Sequence, residues 1–220
     1  MSELPPSLLG DATTPVRRAG FDLPGLQALT LYVVRHGQCE HNAGHLVAGQ
    51  NDSPLTALGR EQALANGKRL ARLAGRLDTL DFYCSPLHRT ATTMELMRQT
   101  AGLAVTGYVA DRRLMELDLG ENTGRAWRDI AADIAEDPLW QNGAWDYRHP
   151  GGESLGMLYA RVAGFLKTLR RDALIVGHAG TVRMIRAFML GLSKEDTMAY
   201  HPLNAGVLRL ANRDEQFFGD

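Results

Sequence analysis

At 220 residues, with 45% hydrophobic and 22% charged residues, the chain has the bulk of one compact domain able to bury a sizeable core. Its net charge of −1 argues against a basic nucleic-acid groove or a membrane-surface patch, and no apolar stretch approaches membrane-span length. Two cysteines, Cys39 and Cys84, stand in unrelated contexts, which excludes a disulfide framework and fits a reducing cytoplasm.

Four of the nine prolines fall within the first 24 positions, and residues 1–28 hold no sustained period. They read as an extended arm or tail packed on the body or on a partner chain, without the basic start and apolar block of a secretory signal. Residues 29–220 are expected to form the body.

"TLYVV" (30–34) reads as a buried strand that stops abruptly at Arg35-His36-Gly37. Thr56 is placed to cap a helix running to about Gly75. "LDFYC" (80–84) is the next strand, followed by a helix from about Arg89 that Gly102 stops. "AVTGYV" (104–109) is a third strand candidate. Residues 124–150 form a less regular insert holding all three tryptophans, Trp127, Trp140 and Trp145. They read either as the insert's own core or as a lid over a pocket. Ser154 starts an amphipathic helix with Leu155, Leu158, Val162, Phe165 and Leu169 on one stripe. "ALIV" (173–176) is a strand, "TVRMIRAFML" a helix closed by Gly191, and "GVLRL" (206–210) a last strand. The alternation predicts an α/β fold, a three-layer α/β/α sandwich around a mostly parallel sheet.

In such sheets ligands gather beyond the carboxyl ends of the strands. Four crossovers send polar residues there: Arg35 and His36, then Arg89 in "SPLHRT", then Glu116 and Asp118 in "LMELDLG", then His178 in "GHAG". Two guanidinium forks match phosphate oxygens. Two imidazoles and a carboxyl supply a nucleophile, a charge stabiliser and a proton donor. "HAGT" before a helix adds backbone N–H groups, Ala179 among them, at a positive helix end. The set describes a metal-free phosphate pocket that transfers a phosphoryl group to an imidazole nitrogen and then to water.

These stretches resemble the motifs of the histidine phosphatase superfamily, also called phosphoglycerate mutase-like. "RHGQCEHN" (35–42) is similar to its nucleophile motif and "DSPLTALGREQA" (52–63) to the following loop and helix. "SPLHRTATT" (85–93), "LMELDLGENTG" (114–124), "PGGES" (150–154) and "GHAGTVR" (177–183) resemble its later motifs, in family order. The resemblance implies that His36 becomes phosphohistidine, that Arg35, Arg89 and His178 neutralise the phosphoryl oxygens, and that Glu116 serves as acid and then base. It implies Asn42 as a further polar contact to the substrate, with Gly49 and Gln50 toward the rest of it. The sequence departs from the family pattern at Gln38, Cys39, Gln50 and Thr123 and in "GHAG", positions that bear on substrate identity.

The expected activity is metal-independent hydrolysis of small phosphorylated metabolites, with no cofactor, as a histidine acid phosphatase. A phosphoglycerate-type mutase is the alternative within the family, and a catalytically weak phospho-ligand binding module the alternative outside it. In the family, mutases carry a longer, more basic insert before PGGES, and the short one here favours hydrolysis. Neither nucleic acid nor membrane is an expected partner, and a homodimer is compatible with the reading. Glu116 has a structural alternative, a surface pair with Arg112 or Arg113, and Asp118 is a rival acid. His36, Cys39, His41 and His45 invite a metal reading, but no HExxH is present.

Overall fold

The computed structural model describes residue 23, residues 25–141 and residues 144–219. Most of the proline-rich arm lies outside the described residues. Its last part does not extend away: Leu23 and Leu26 are buried against the main core, and Leu26–Ala28 forms one 3-10 turn.

Strand β1 (Leu31–Arg35) leads through a four-residue helix α1 (Glu40–Ala43) to the long helix α2 (Ala57–Leu73). Thr56 caps α2 by accepting the Gly59 N–H at 3.1 Å. Strand β2 (Asp81–Cys84), helix α3 (His88–Thr100) and a short strand β3 (Val109–Ala110) follow. The insert carries α4 (Trp127–Ile134) and α5 (Pro138–Gln141). Then come α6 (Leu155–Leu166), β4 (Ala173–Gly177), α7 (Ala179–Leu190), α8 (Lys194–Ala199) and the strands β5 (Val207–Ala211) and β6 (Asp214–Phe218).

The six strands form one sheet in the order β3-β2-β4-β1-β5-β6. β1, β2, β3 and β4 pair in parallel, while β5 runs antiparallel to β1 and β6 antiparallel to β5. Strand periodicity divides the core into two layers. Tyr32, Val34, Leu174 and Val176 face α2 and α3, where Leu70, Met94 and Met97 are buried. Leu31, Val33, Ala173 and Ile175 face α6 and α7, against Leu158, Phe165, Ile185 and Phe188. The fold is therefore the expected α/β/α sandwich. No helix among the described residues is long and apolar enough to cross a membrane.

Three local expectations are corrected. "AVTGYV" gives only its last residue, Val109, to the two-residue β3, because Arg98 takes the Ala104 and Thr106 carbonyls, each at 2.7 Å, and Gly107 turns at φ +93°. "GVLRL" is not the last strand: β6 returns across a two-residue turn in which Asn212 and Arg213 both have positive φ. Its polar edge sequence, "DEQFF", lacks the apolar alternation that marks a strand. The insert is less irregular than expected. Its α4 and α5 enclose a satellite core of Ile130, Ile134, Tyr147 and Trp140, whereas Trp145 joins the main core.

Candidate active site

Register places the two histidines. Arg35 of β1 pairs with Gly177 of β4, so His36 and His178, each one residue further on, leave the sheet side by side. The His36 N–H donates to the Gly177 carbonyl at 2.9 Å, and the two rings meet edge to face with centroids 5.2 Å apart. Both side chains are buried.

His36 is fixed in one tautomer. Its Nδ1 lies 2.7 Å from the Gly37 carbonyl oxygen, which can only accept, so Nδ1 carries the hydrogen and Nε2 keeps its lone pair. The Gly37 N–H donates to Thr93 Oγ1 at 3.1 Å, and Asn204 Nδ2 donates to the His36 carbonyl at 2.7 Å. A Cβ on Gly37 would stand 2.1 Å from the Gly59 carbonyl oxygen, so this loop packs directly on the start of α2. Burial, then the charges of Arg35 and Arg89, hold the His36 imidazole well below its ordinary pKa despite the Gly37 bond.

His178 caps α7 with its backbone. Its N–H donates to Thr181 Oγ1 at 2.7 Å, and the Thr181 hydroxyl donates to the His178 carbonyl at 3.0 Å. Burial lowers its pKa strongly, and Arg89, His36, Arg35 and Arg161 add to the effect. Neither ring nitrogen has a hydrogen-bond partner.

Arg89, 1% exposed, is held by Nη1 to the Asn51 carbonyl at 2.6 Å and by Nη2 to the Gly49 carbonyl at 2.7 Å. Arg35 donates from Nη1 to the Pro202 carbonyl at 3.0 Å. The Nε atoms of both are buried and unpartnered. Burial lowers both arginine pKa values, and the Glu116 charge opposes it most. Among the described residues five buried side-chain nitrogens lack a partner, and four of them belong to Arg35, Arg89 and His178. Buried polar atoms without partners are rare in folded proteins, so four of them on three side chains at one sheet edge call for an explanation.

Glu116 sits across from these groups at the start of α7. Its Oε1 accepts the Leu117 N–H at 2.9 Å and the Gly180 N–H at 3.1 Å. A Cβ on Gly180 would stand 2.4 Å from that oxygen, so glycine is what lets the carboxylate approach. The surface-pair alternative is not realised, since Arg113 pairs with Asp111 at 2.6 Å. Asp118 accepts the Gly120 N–H at 2.9 Å and shapes the turn.

The remaining expected contacts divide. Asn42 accepts from Cys39 Sγ at 3.3 Å, in the segment that follows His36. Gly49, at φ +49°, contributes its carbonyl to Arg89, and Gln50 Nε2 donates to the Glu116 carbonyl at 3.1 Å. Ala179 opens α7, where backbone N–H groups have no intrahelical acceptor. The insert is stitched to this loop: the Val47 N–H donates to the Arg125 carbonyl at 2.9 Å and Gly124 N–H to the Val47 carbonyl at 2.8 Å. Two groups were missed by sequence reasoning. Arg183 is a third guanidinium in the field of Glu116 and Arg35, and it lies inside the quoted "GHAGTVR". Asn204 lies 168 residues from His36, with no signal to connect them.

The fold is α/β, and at the carboxyl edge of its sheet it gathers His36, His178, Arg35 and Arg89, with Glu116 beside them. The model of the histidine phosphatase superfamily (branch 1) matches residues 31–218, and the chain belongs to that family. It is 33% identical over 198 residues to "Probable phosphoglycerate mutase GpmB" of Salmonella paratyphi C, covering 86% of this chain and 87% of that one. Among solved structures, a mycobacterial glucosyl-3-phosphoglycerate phosphatase superposes with a TM-score of 0.69 at 26% identity, over 86% of this chain and 96% of that chain. The alpha-ribazole phosphatase of Shigella flexneri shares the fold at a TM-score of 0.68 and 24% identity, over 87% and 96% of the two chains.

Proposed function

We propose that the protein is a phosphomonoesterase that hydrolyses small phosphorylated metabolites through a phosphohistidine on His36. The observation that carries the reading is the set of unpartnered nitrogens on Arg35, Arg89 and His178, three residues close to the His36 ring, whose Nε2 keeps its lone pair. All are nitrogens aimed at no protein acceptor, which suits a phosphoryl group with several oxygens. The likeness to the mycobacterial glucosyl-3-phosphoglycerate phosphatase, one form of which was solved with VO3, an oxyanion akin to phosphate, supports the same class.

In the first half-reaction His36 Nε2 attacks phosphorus and the ester P–O bond breaks. The leaving alkoxide takes its proton from Glu116. In the second, water attacks phosphorus, Glu116 takes a proton from it, and the N–P bond breaks to release inorganic phosphate. The guanidinium groups and His178 offset charge on the equatorial oxygens throughout. His36 is suited to the first step because its depressed pKa keeps it neutral below the pH at which a free imidazole protonates.

The expected result is turnover of p-nitrophenyl phosphate that resists chelators and an acid-labile phosphate label on the protein, both lost in His36→Ala. A label that persists in that variant would show the nucleophile to be misassigned. The names of the curated relatives favour a second reading, a phosphoglycerate mutase. Release of inorganic phosphate, against transfer to a second substrate hydroxyl, separates the two. The short insert between Gly124 and Pro150 supports hydrolysis.

A further inference from the structure

Glu153 and Arg161 lie outside the pocket, yet their hydrogen bonds converge on the backbone that carries Glu116. Arg161, on α6, donates from Nη1 to the Arg113 carbonyl at 2.9 Å and the Met115 carbonyl at 2.6 Å, and from Nη2 to the Glu116 carbonyl at 2.7 Å. Glu153 grips the same guanidinium with both oxygens, Oε1 to Nε and Oε2 to Nη2, each at 2.8 Å. Glu153 Oε2 also accepts the Asp118 N–H at 3.0 Å, and the Glu153 N–H donates to the Asp118 carbonyl at 2.8 Å. The clamp therefore holds residues 113, 115, 116 and 118, on both sides of the carboxyl.

The sequence is built around this contact. A Cβ on Gly152 would stand 2.3 Å from the Asp118 carbonyl oxygen, so the glycine lets the "PGGES" turn lie on the acid loop. Both charged side chains are only 17% exposed. Burial alone would raise the Glu153 carboxyl, but the Arg161 bond, the Asp118 N–H and the Arg161 charge outweigh it, and its pKa lies below the ordinary value. A bidentate fork of this kind fixes orientation as well as distance.

We infer that the Glu153–Arg161 pair is a positioning device for Glu116, fixing the backbone from which its carboxyl reaches the leaving oxygen. The inference rests on the reading of Glu116 as the general acid. A buried pair that only stabilised the fold would affect all substrates alike. A pair that sets the acid matters in proportion to how badly the leaving group needs a proton.

The test is a leaving-group comparison. Nitrophenolate departs without a proton, whereas the alkoxide of an alkyl phosphate does not. In Arg161→Gln, kcat/KM for an alkyl phosphate is expected to fall about 100-fold, at the low end of general-acid contributions, against a loss of about fivefold or less for p-nitrophenyl phosphate. Glu153→Gln keeps the volume and one acceptor and is expected to give a smaller loss of the same selectivity. It also serves if Arg161→Gln fails to fold. Equal losses on both substrates, or none on either, would overturn the inference. Glu116→Gln run alongside separates the two levels. If it lacks the leaving-group dependence, the reading of Glu116 fails. If it has the dependence and neither clamp variant does, only the clamp fails.

Discussion

The two buried histidines make a quantitative prediction for acid stability. In the folded chain His36 and His178 are both held well below the ordinary imidazole pKa, chiefly by burial and then by the nearby guanidinium charges. Unfolding returns each to about 6.5. Because the folded values are depressed, the contribution of each to stability is complete above about pH 6.5 and is lost as pH falls toward the folded value. In that window the unfolded chain binds two more protons at these positions, so the unfolding free energy drops by up to about 2.7 kcal/mol per pH unit. A slope of that size over even one pH unit is a large share of an ordinary domain's stability. Burial lowers His149 and His201 also, which adds contributions of the same sign. Urea unfolding followed by tryptophan fluorescence, in buffers free of phosphate and other oxyanions that would occupy the site, measures the slope. Replacing one of the two histidines by asparagine should remove about half of their joint slope, and replacing both should leave the remainder due to His149, His201 and the carboxyls. Parallel pH dependence in the parent and the double variant would show that the imidazoles are not held neutral, and the argument for a neutral nucleophile would go with it.

Three further outcomes are expected. Arg89→Met removes a guanidinium with an unpartnered Nε and two bonds to the Gly49–Asn51 loop, so calorimetric phosphate affinity should fall about 30-fold or more, the equivalent of one charge-assisted bond. Unchanged affinity would remove Arg89 from the site. Arg35→Gln takes away a charge that depresses His36, so the acid limb of the kcat/KM profile should move up toward pH 6.5, and a downward move would contradict the electrostatic assignment. Gly37→Ala drives a methyl into the Gly59 carbonyl oxygen at 2.1 Å and should cost at least about 2 kcal/mol in urea unfolding. A neutral effect would mean that the nucleophile loop is not packed against α2 as described.

Much of the site was legible because its parts are local. Strand ends, Thr56 and Ser154 as caps, and Gly191 at φ +70° follow from short-range patterns of apolar spacing and turn chemistry. The residues after β1, β2 and β4 were placed by the same patterns, since strand ends bring side chains to one edge of a parallel sheet. What failed did so where local signals compete with distant ones. Arg98 drew the 104–106 carbonyls away from β3, and β6 formed on a polar edge by pairing with β5.

The amino-acid order by itself determined which groups exist and roughly where each strand delivers them: two histidines, two arginines and a carboxyl at one sheet edge. Only the tertiary structure decided their relation. The pairing of Arg35 with Gly177 set the imidazoles 5.2 Å apart, and the Gly37 carbonyl chose the tautomer. The bonds of Arg161 to residues 113, 115 and 116 reach across 45 or more positions of chain. Register and hydrogen-bond partners of this kind are properties of chain segments meeting in space, and no period or spacing within one segment encodes them.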